Sequence, residues 1–133
     1  MMAPQKLAAF VLSSVLMLSA LPALAAGGPK VLNVIAIKVK AGEQDTYLKK
    51  VKALSGIMKR LDTGGTMRVW EATVAGDNTG TIYVGIEYPD LATFGAGMAK
   101  ARQDEEWTKT VKELDKSGLR EVRANSLLTE ITP

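Results

Sequence analysis

The sequence predicts an α+β domain in which a four-stranded antiparallel sheet carries helices on one face. Three observations lead to this prediction. Apolar residues alternate along Val31–Lys40, as in a strand, and recur at helical spacing along Tyr47–Leu61. A second strand–loop–helix unit follows after residue 80. The length of 133 residues suits one such domain.

Val31–Lys40 is predicted to be a central strand, because its first half is apolar on both faces. Gly42 ends this strand. Glu43 and Asp45 then favour a helix start, since acidic side chains stabilise the first helical turn. The turn residues at 62–65 are expected to end the helix.

Two further strands are expected to pair as a hairpin. Thr66–Ala75 has no cleanly apolar face, which suits a strand near the edge of the sheet. Gly76–Gly80 has strong turn composition, and Thr81–Tyr88 alternates again.

The last third repeats the helix-then-strand order. Asp90 is a candidate N-cap for a helix that weakens near 102–104. A further helical piece is expected over Glu105–Lys116 and the last strand over Val122–Ile131. The order βαββαβ is that of a ferredoxin-like fold, in which right-handed crossovers place the helices on one face.

The opposite face of the sheet would then be uncovered. Leu32, Val34 and Ala36 would lie on it. A contiguous apolar surface of this kind usually marks an interface, so we expect a homodimer that packs open face against open face.

The first 25 residues have the composition of an export signal. One positive charge precedes an apolar run over 7–21, which is followed by proline and the small-x-small pattern Ala-Leu-Ala. We expect cleavage after Ala25, with 26–30 as a leader and 31–133 as the folded domain in the periplasm or outside the cell. The alternative is an uncleaved anchor, since the apolar run nearly suffices to span a bilayer.

The composition excludes several function classes. The sequence has no cysteine and no histidine, so it lacks disulfides, the commonest general base and the usual zinc and haem ligands. A net charge of +3 is too small to indicate nucleic acid as a partner. The acidic run Asp104-Glu105-Glu106 fits a helix start better than a cation site. We expect neither a metal nor a cofactor.

Three segments resemble known domains: VIAIKVKAGEQDTYLKKVKAL, GTMRVWEA and IYVGIEYPDLATF. They are similar to the strands and helix starts of antibiotic-biosynthesis-monooxygenase-like domains of the dimeric α/β-barrel superfamily, over roughly 31–131. The resemblance implies a homodimer whose sheets join into a barrel, and a ligand pocket between helices and sheet. It also implies a cofactor-independent monooxygenase acting on an aromatic or quinol-like molecule.

Two positions depart from that family. Many relatives carry a histidine on the helix after the third strand, where this chain has Phe94–Met98, which argues against haem degradation through that ligand. Many also carry a glutamate late in the third strand, near Ile86 of this sequence, with Glu87 beside it.

Candidate pocket residues are Asn33, Trp70 and Tyr88. Asn33 interrupts an apolar strand face and would orient a carbonyl or phenol; the alternative is an amide satisfied by backbone. Trp70 and Tyr88, with Tyr83, would form a stacking wall for a flat ligand; the alternative is core or dimer-interface packing. Arg68 would bind an anionic group or be an exposed charge.

Two alternatives to catalysis follow from the same residues. The absence of an obvious acid–base pair favours a non-catalytic module that binds a small molecule, or a module whose role is dimerisation. The family resemblance favours the enzyme.

Overall fold

The computed structural model of the protein describes residues 27–132, so the predicted signal segment, its cleavage position and leader residue 26 lie outside the described residues. Within this range the chain forms four strands, three α-helices and one short 3-10 turn. In chain order they are β1 (Val31–Val39), α1 (Gln44–Leu61), β2 (Thr66–Glu71), the 3-10 turn (Gly76–Asn78), β3 (Ile82–Tyr88), α2 (Leu91–Gln103), α3 (Glu105–Ser117) and β4 (Arg120–Thr129).

The strands form one antiparallel sheet in the order β2-β3-β1-β4. β1 is central and β2 lies at an edge, as the apolar patterns predict. Residues from the helices pack on the same face of this sheet. The predicted ferredoxin-like α+β fold is therefore confirmed.

Two strand boundaries differ from the prediction. β2 ends at Glu71 rather than at Ala75, because the chain then bends into the 3-10 turn. The predicted last strand, Val122–Ile131, is shifted toward the N-terminus, since Arg120 already pairs with Val39 at the end of β1. Two charged residues therefore begin a strand whose apolar content lies further on.

A bulge divides the pairing of β1 with β4. Ala36 faces Ala124, but the next residue, Ile37, faces Val122, so β4 contains one extra residue at this point. An extra residue exchanges the two faces of a strand beyond the bulge. Because of it, Arg120 is opposite Val39 and belongs to the face that the helices cover.

Local capping explains where the helices begin and end. The Asp90 carboxylate accepts a hydrogen bond from Thr93 N at 2.7 Å, which confirms Asp90 as the N-cap of α2. Asp104 accepts from Trp107 N at 3.0 Å and begins α3. Asp62, in the left-handed conformation, ends α1.

The core lies between the sheet and the helices. Its larger part is built from α1, α3 and the centre of the sheet, and its smaller part lies near the start of β1. The fully buried side chains of largest volume are Tyr47, Tyr88, Ile37, Ile82 and Leu114.

Candidate functional site

A cavity of about 220 Å³ lies between the helices and the covered face of the sheet; we refer to it as the helix-side cavity. Its wall combines many apolar side chains with a few polar ones, as in sites for small organic molecules. The lining residues are Asn33, Ile35, Tyr47, Val51, Leu54, Met67, Val84, Ile86, Met98, Trp107, Val111, Arg120 and Asn125.

Asn33 contributes a polar group to this wall from the centre of the sheet. It is 8% exposed. Its Nδ2 donates to Asn125 Oδ1 at 2.7 Å and to the carbonyl of Ser126 at 3.0 Å. Both amide hydrogens are thereby engaged. Oδ1 has no hydrogen bond within residues 27–132, so the atom available to a ligand is an acceptor.

A second polar group lies where β1 ends and β4 begins. Tyr47, from the first turns of α1, is buried, and Arg120 lies beside it on the covered face. Burial raises the pKa of the Tyr47 phenol, and the nearby Arg120 guanidinium opposes this rise. The phenol is therefore neutral at pH 7 and has a proton to donate.

The structure separates the three predicted pocket residues. Only Asn33 lines the helix-side cavity. Tyr88 lies on the covered face but packs in the core, with its ring edge-on to Phe94 at 5.2 Å and its hydroxyl 4.0 Å from Met98 Sδ. Burial raises the pKa of Tyr88. The participation of Asn33 or Tyr88 in ligand binding remains a prediction.

Trp70 lies on the open face, because it pairs with Tyr83 and alternates with the inward-facing Met67 and Val69. It is 48% exposed. Its ring lies above Gly85, where a Cβ atom would be 2.5 Å from Trp70 Cζ3. The predicted aromatic wall is therefore divided between the two faces of the sheet.

A wider depression of about 690 Å³ lies on the open face, beside the loop between β2 and β3. Asp77 and other loop residues border it, together with Lys38, Tyr83 and Arg123. More of its surface is polar than apolar, and part of it belongs to the uncovered sheet. We therefore regard the smaller helix-side cavity as the better candidate site for an organic ligand.

The acidic run at the start of α3 serves the helix. Hydrogen bonds from Trp107 N and then from Arg60 lower the pKa of Asp104. Arg60 Nη2 lies 2.9 Å from both carboxylate oxygens of Asp104 and 3.2 Å from Glu106. Within the part of the chain that the structure describes, no group of acidic residues is arranged to hold a metal ion. None of the described helices is long and apolar enough to cross a membrane.

No protein-family model matches the sequence, and no curated protein matches it. Solved structures resemble it in fold. A NIPSNAP family protein from Agrobacterium tumefaciens aligns at a TM-score of 0.57 and 16% identity, covering 77% of this chain and 87% of that chain. A protein from Bordetella bronchiseptica assigned as an antibiotic biosynthesis monooxygenase aligns at 0.58 and 10% identity, covering 79% and 100%. An uncharacterised NIPSNAP-like domain protein from Burkholderia xenovorans aligns at 0.59 and 11%, covering 77% and 86%.

The chain has the ferredoxin-like fold that these two groups share. The resemblance to antibiotic-biosynthesis-monooxygenase-like domains, predicted from three sequence segments, is thus confirmed at the level of fold. Identities of 10–16% carry no information about the substrate. Chemistry has to be inferred from the site itself, because one fold supports many functions.

Three polar residues of the site were not predicted. Tyr47 has the spacing of an ordinary core residue of a helix, and nothing in the sequence separates it from its apolar neighbours. Asn125 and Arg120 reach the cavity only through the pairing of β4 with β1, including the bulge. Asn125 lies opposite Ile35, diagonal to Asn33 on the same face, and was a usable signal only once the register of the sheet was known.

Proposed function

We propose that this chain binds a small, planar, mostly apolar molecule in the helix-side cavity and acts as a cofactor-independent monooxygenase on an aromatic or quinol-like compound. The buried Asn33 amide in an apolar wall is the observation that supports this proposal. The alternative is a non-catalytic module of the same fold that binds the ligand or serves dimerisation.

The size and lining of the cavity limit the ligand. Pockets for drug-sized molecules usually have roughly 300–1,000 Å³, whereas this cavity has about 220 Å³. A compound of one or two rings fits that space better than a larger one. Removing its apolar surface from water contributes about 25 cal/mol per Å², and the free acceptor on Asn33 would fix the orientation of a phenolic O–H.

The proposed reaction uses electrons of the substrate. An ionised quinol reduces O₂, one oxygen atom forms a new C–O bond, and the other leaves as water. The cavity would exclude solvent and hold the reacting carbon at a defined distance and orientation, which accelerates such a step. No residue in the wall has to act as a redox group.

Oxygen uptake with a panel of benzoquinols and naphthoquinols tests the enzyme. We expect oxygen-dependent turnover, and at least a tenfold loss of kcat/KM in Asn33→Ala, because the acceptor is removed. Asn78→Ala is the matched control, since Asn78 lies in the exposed loop between β2 and β3.

Binding without turnover distinguishes the alternative. Trp107 lines the cavity and Trp70 does not, so a Trp70→Phe variant leaves one reporter at the site. Quenching of Trp107 fluorescence without oxygen uptake would support a non-catalytic binder. If no compound of the panel causes quenching or turnover, the proposal is wrong.

We also propose that two copies pair through the open face. Trp70 is 48% exposed and Leu128 is 50% exposed, and Leu128 lies opposite Leu32. A two-fold axis allows such an apolar patch to pack against itself. We expect Trp70→Glu to sediment as a monomer with an unchanged circular dichroism spectrum, while Val74→Glu, in an exposed segment, stays dimeric. A monomeric parent protein at high micromolar concentration would contradict this pairing.

Export remains the proposal for the first 25 residues. It is supported by their composition: a positive charge, an apolar run and a small-x-small ending. Mass spectrometry of protein recovered from the periplasm of a bacterial host should give an N-terminus at residue 26. Recovery of uncleaved chain from the membrane fraction would favour the anchor.

A further inference from the structure

The end of the helix-side cavity near Arg120 contains a charged donor without an acceptor. The Arg120 side chain is 13% exposed, and its Nη2 lies 3.3 Å from Asp115 Oδ1. Its Nε is buried and has no hydrogen-bond acceptor among the described residues. A buried donor left unpaired destabilises a fold, and more so when it is charged, so its presence calls for a physical reason.

A second donor lies beside it. Tyr47 is almost completely buried, and the neighbouring Arg120 guanidinium acts on its oxygen as a hydrogen-bond donor. No acceptor for the Tyr47 O–H is found within residues 27–132, so this proton is available to a ligand. Tyr47 and Arg120 line the same cavity as Asn33, at the end of β1 distant from it. Desolvation keeps the phenol protonated and the guanidinium is always charged, so both groups present hydrogens.

We propose that this end of the cavity holds an anionic oxygen of the ligand, a carboxylate or an ionised enol or phenol, with Arg120 Nε–H and Tyr47 O–H as the donors. The proposal rests on ligand binding in the helix-side cavity and names the chemical class of that ligand. It assigns to Arg120 and Tyr47 a role in specificity that is separate from the acceptor on Asn33.

Charge favours an anion over a neutral acceptor at this position. Among residues 27–132, the charged group in contact with the guanidinium is Asp115, which meets it at Nη2 and is mostly exposed. The buried Nε of the guanidinium therefore has no counter-charge in contact with it among residues 27–132, and Arg120 belongs to the wall of the cavity. Hydrogen bonds to an ionised acceptor are stronger than those to a neutral one, and the difference grows where water is excluded.

Matched pairs of ligands test the proposal. Naphthoate and naphthamide differ in the charge of a carboxyl group, and hydroxynaphthoquinone and its methyl ether differ in an ionised enol. We expect calorimetry to show that at least one anion binds roughly 10- to 100-fold more tightly than its neutral analogue. A preference within the first pair alone indicates a carboxylate, and within the second pair alone an enolate.

Variants assign the preference to Arg120. Arg120→Met keeps an unbranched apolar stem and should reduce the preference to about threefold or less, while affinity for the neutral analogue is retained. Arg123→Met is the matched control, because Arg123 is on the same strand, is half exposed and pairs with Glu121. Tyr47→Phe should lose part of the preference, and it provides the test if Arg120→Met does not fold.

The outcomes separate this proposal from the proposed function. If no member of either pair binds, ligand binding in the cavity is wrong and the charge proposal fails with it. If the neutral analogues bind as tightly as the anions, or if Arg120→Met and Tyr47→Phe both keep the preference, the charge proposal alone is wrong. Ligand binding in the helix-side cavity would then still be supported, but the ligand would not need an anionic group.

Discussion

The two faces of β1 are similar in sequence and different in structure. Val31 and Ile37 lie on the face that the helices cover and are almost fully buried. Leu32, Val34 and Ala36 lie on the other face, which no described helix covers, and are half buried. Both faces are apolar, so composition alone does not determine which of them becomes core.

The helices that cover one face also determine where polar side chains can interact strongly with a ligand. On the covered face, Asn33, Tyr47 and Arg120 are enclosed among apolar side chains, where hydrogen bonds and charge interactions are strong. On the open face, Arg68 is exposed and Glu87 is half exposed, so water screens their charges. The same strand therefore separates a candidate ligand site from a candidate subunit interface.

A pair of leucine substitutions provides the strongest test of this difference. Leu114, on the buried side of α3, is 1% exposed, whereas Leu128 is 50% exposed on the open face. We expect Leu114→Ala to lower the free energy of unfolding by about 2–5 kcal/mol, because it leaves a cavity. Leu128→Ala should change it by less than about 1 kcal/mol in dilute, monomeric protein. Urea denaturation at low protein concentration measures both, and equal losses would mean that the open face is packed like the core.

Most of the fold could be predicted because its signals are local. Alternation located β1 and β3, the glycine-rich stretch located the hairpin, and Asp90 marked a helix start. The errors lie at the ends of β2 and β4. There, the 3-10 turn and the pairing of Arg120 with Val39 override what the side chains suggest.

The site was less accessible from the sequence because it depends on register. Asn33 stood out as one polar residue on an apolar face. The face on which Trp70 lies follows from its pairing with Tyr83. Arg120 reaches the cavity because of the bulge in β4, more than 80 residues after the start of β1, with which β4 pairs. No local pattern sets these long-range alignments, so only part of the site was predicted.

A smaller effect should come from the residue that joins two helices over the covered face. Asp104 caps α3 and binds Arg60 of α1. Asp104→Ala should lower Tm by a few degrees at pH 7, since the cap and the ion pair are lost. Asp77→Ala, at an exposed loop, is the control.

The pH dependence of the Asp104 effect has a defined sign. Hydrogen bonds from Trp107 N and Arg60 lower the pKa of Asp104 in the folded state. The stabilisation of the fold by the Asp104 carboxylate is therefore fully present above the ordinary aspartate pKa of about 3.9. It is lost as the pH falls through the lower pKa that Asp104 has in the folded state. Thermal melts should show the parent and Asp104→Ala converging at acidic pH, and a constant difference down to pH 2 would contradict the assignment.

The smallest effect on monomer stability, and the most informative about the open face, is expected at Gly85. A Cβ atom there would lie 2.5 Å from Trp70 Cζ3 and 3.5 Å from Leu32 Cδ1, so the indole ring must move in Gly85→Ala. In a monomer the half-exposed ring can turn into water, and alanine favours a strand over glycine by about 0.5–1 kcal/mol. We expect these effects nearly to cancel in the free energy of unfolding at low concentration. In a dimer closed over the open face the ring has no room to turn, so the same variant should dissociate at a higher concentration than its parent, as sedimentation would show. A loss of monomer stability as large as that of Leu114→Ala would mean instead that Trp70 is held as firmly as the core.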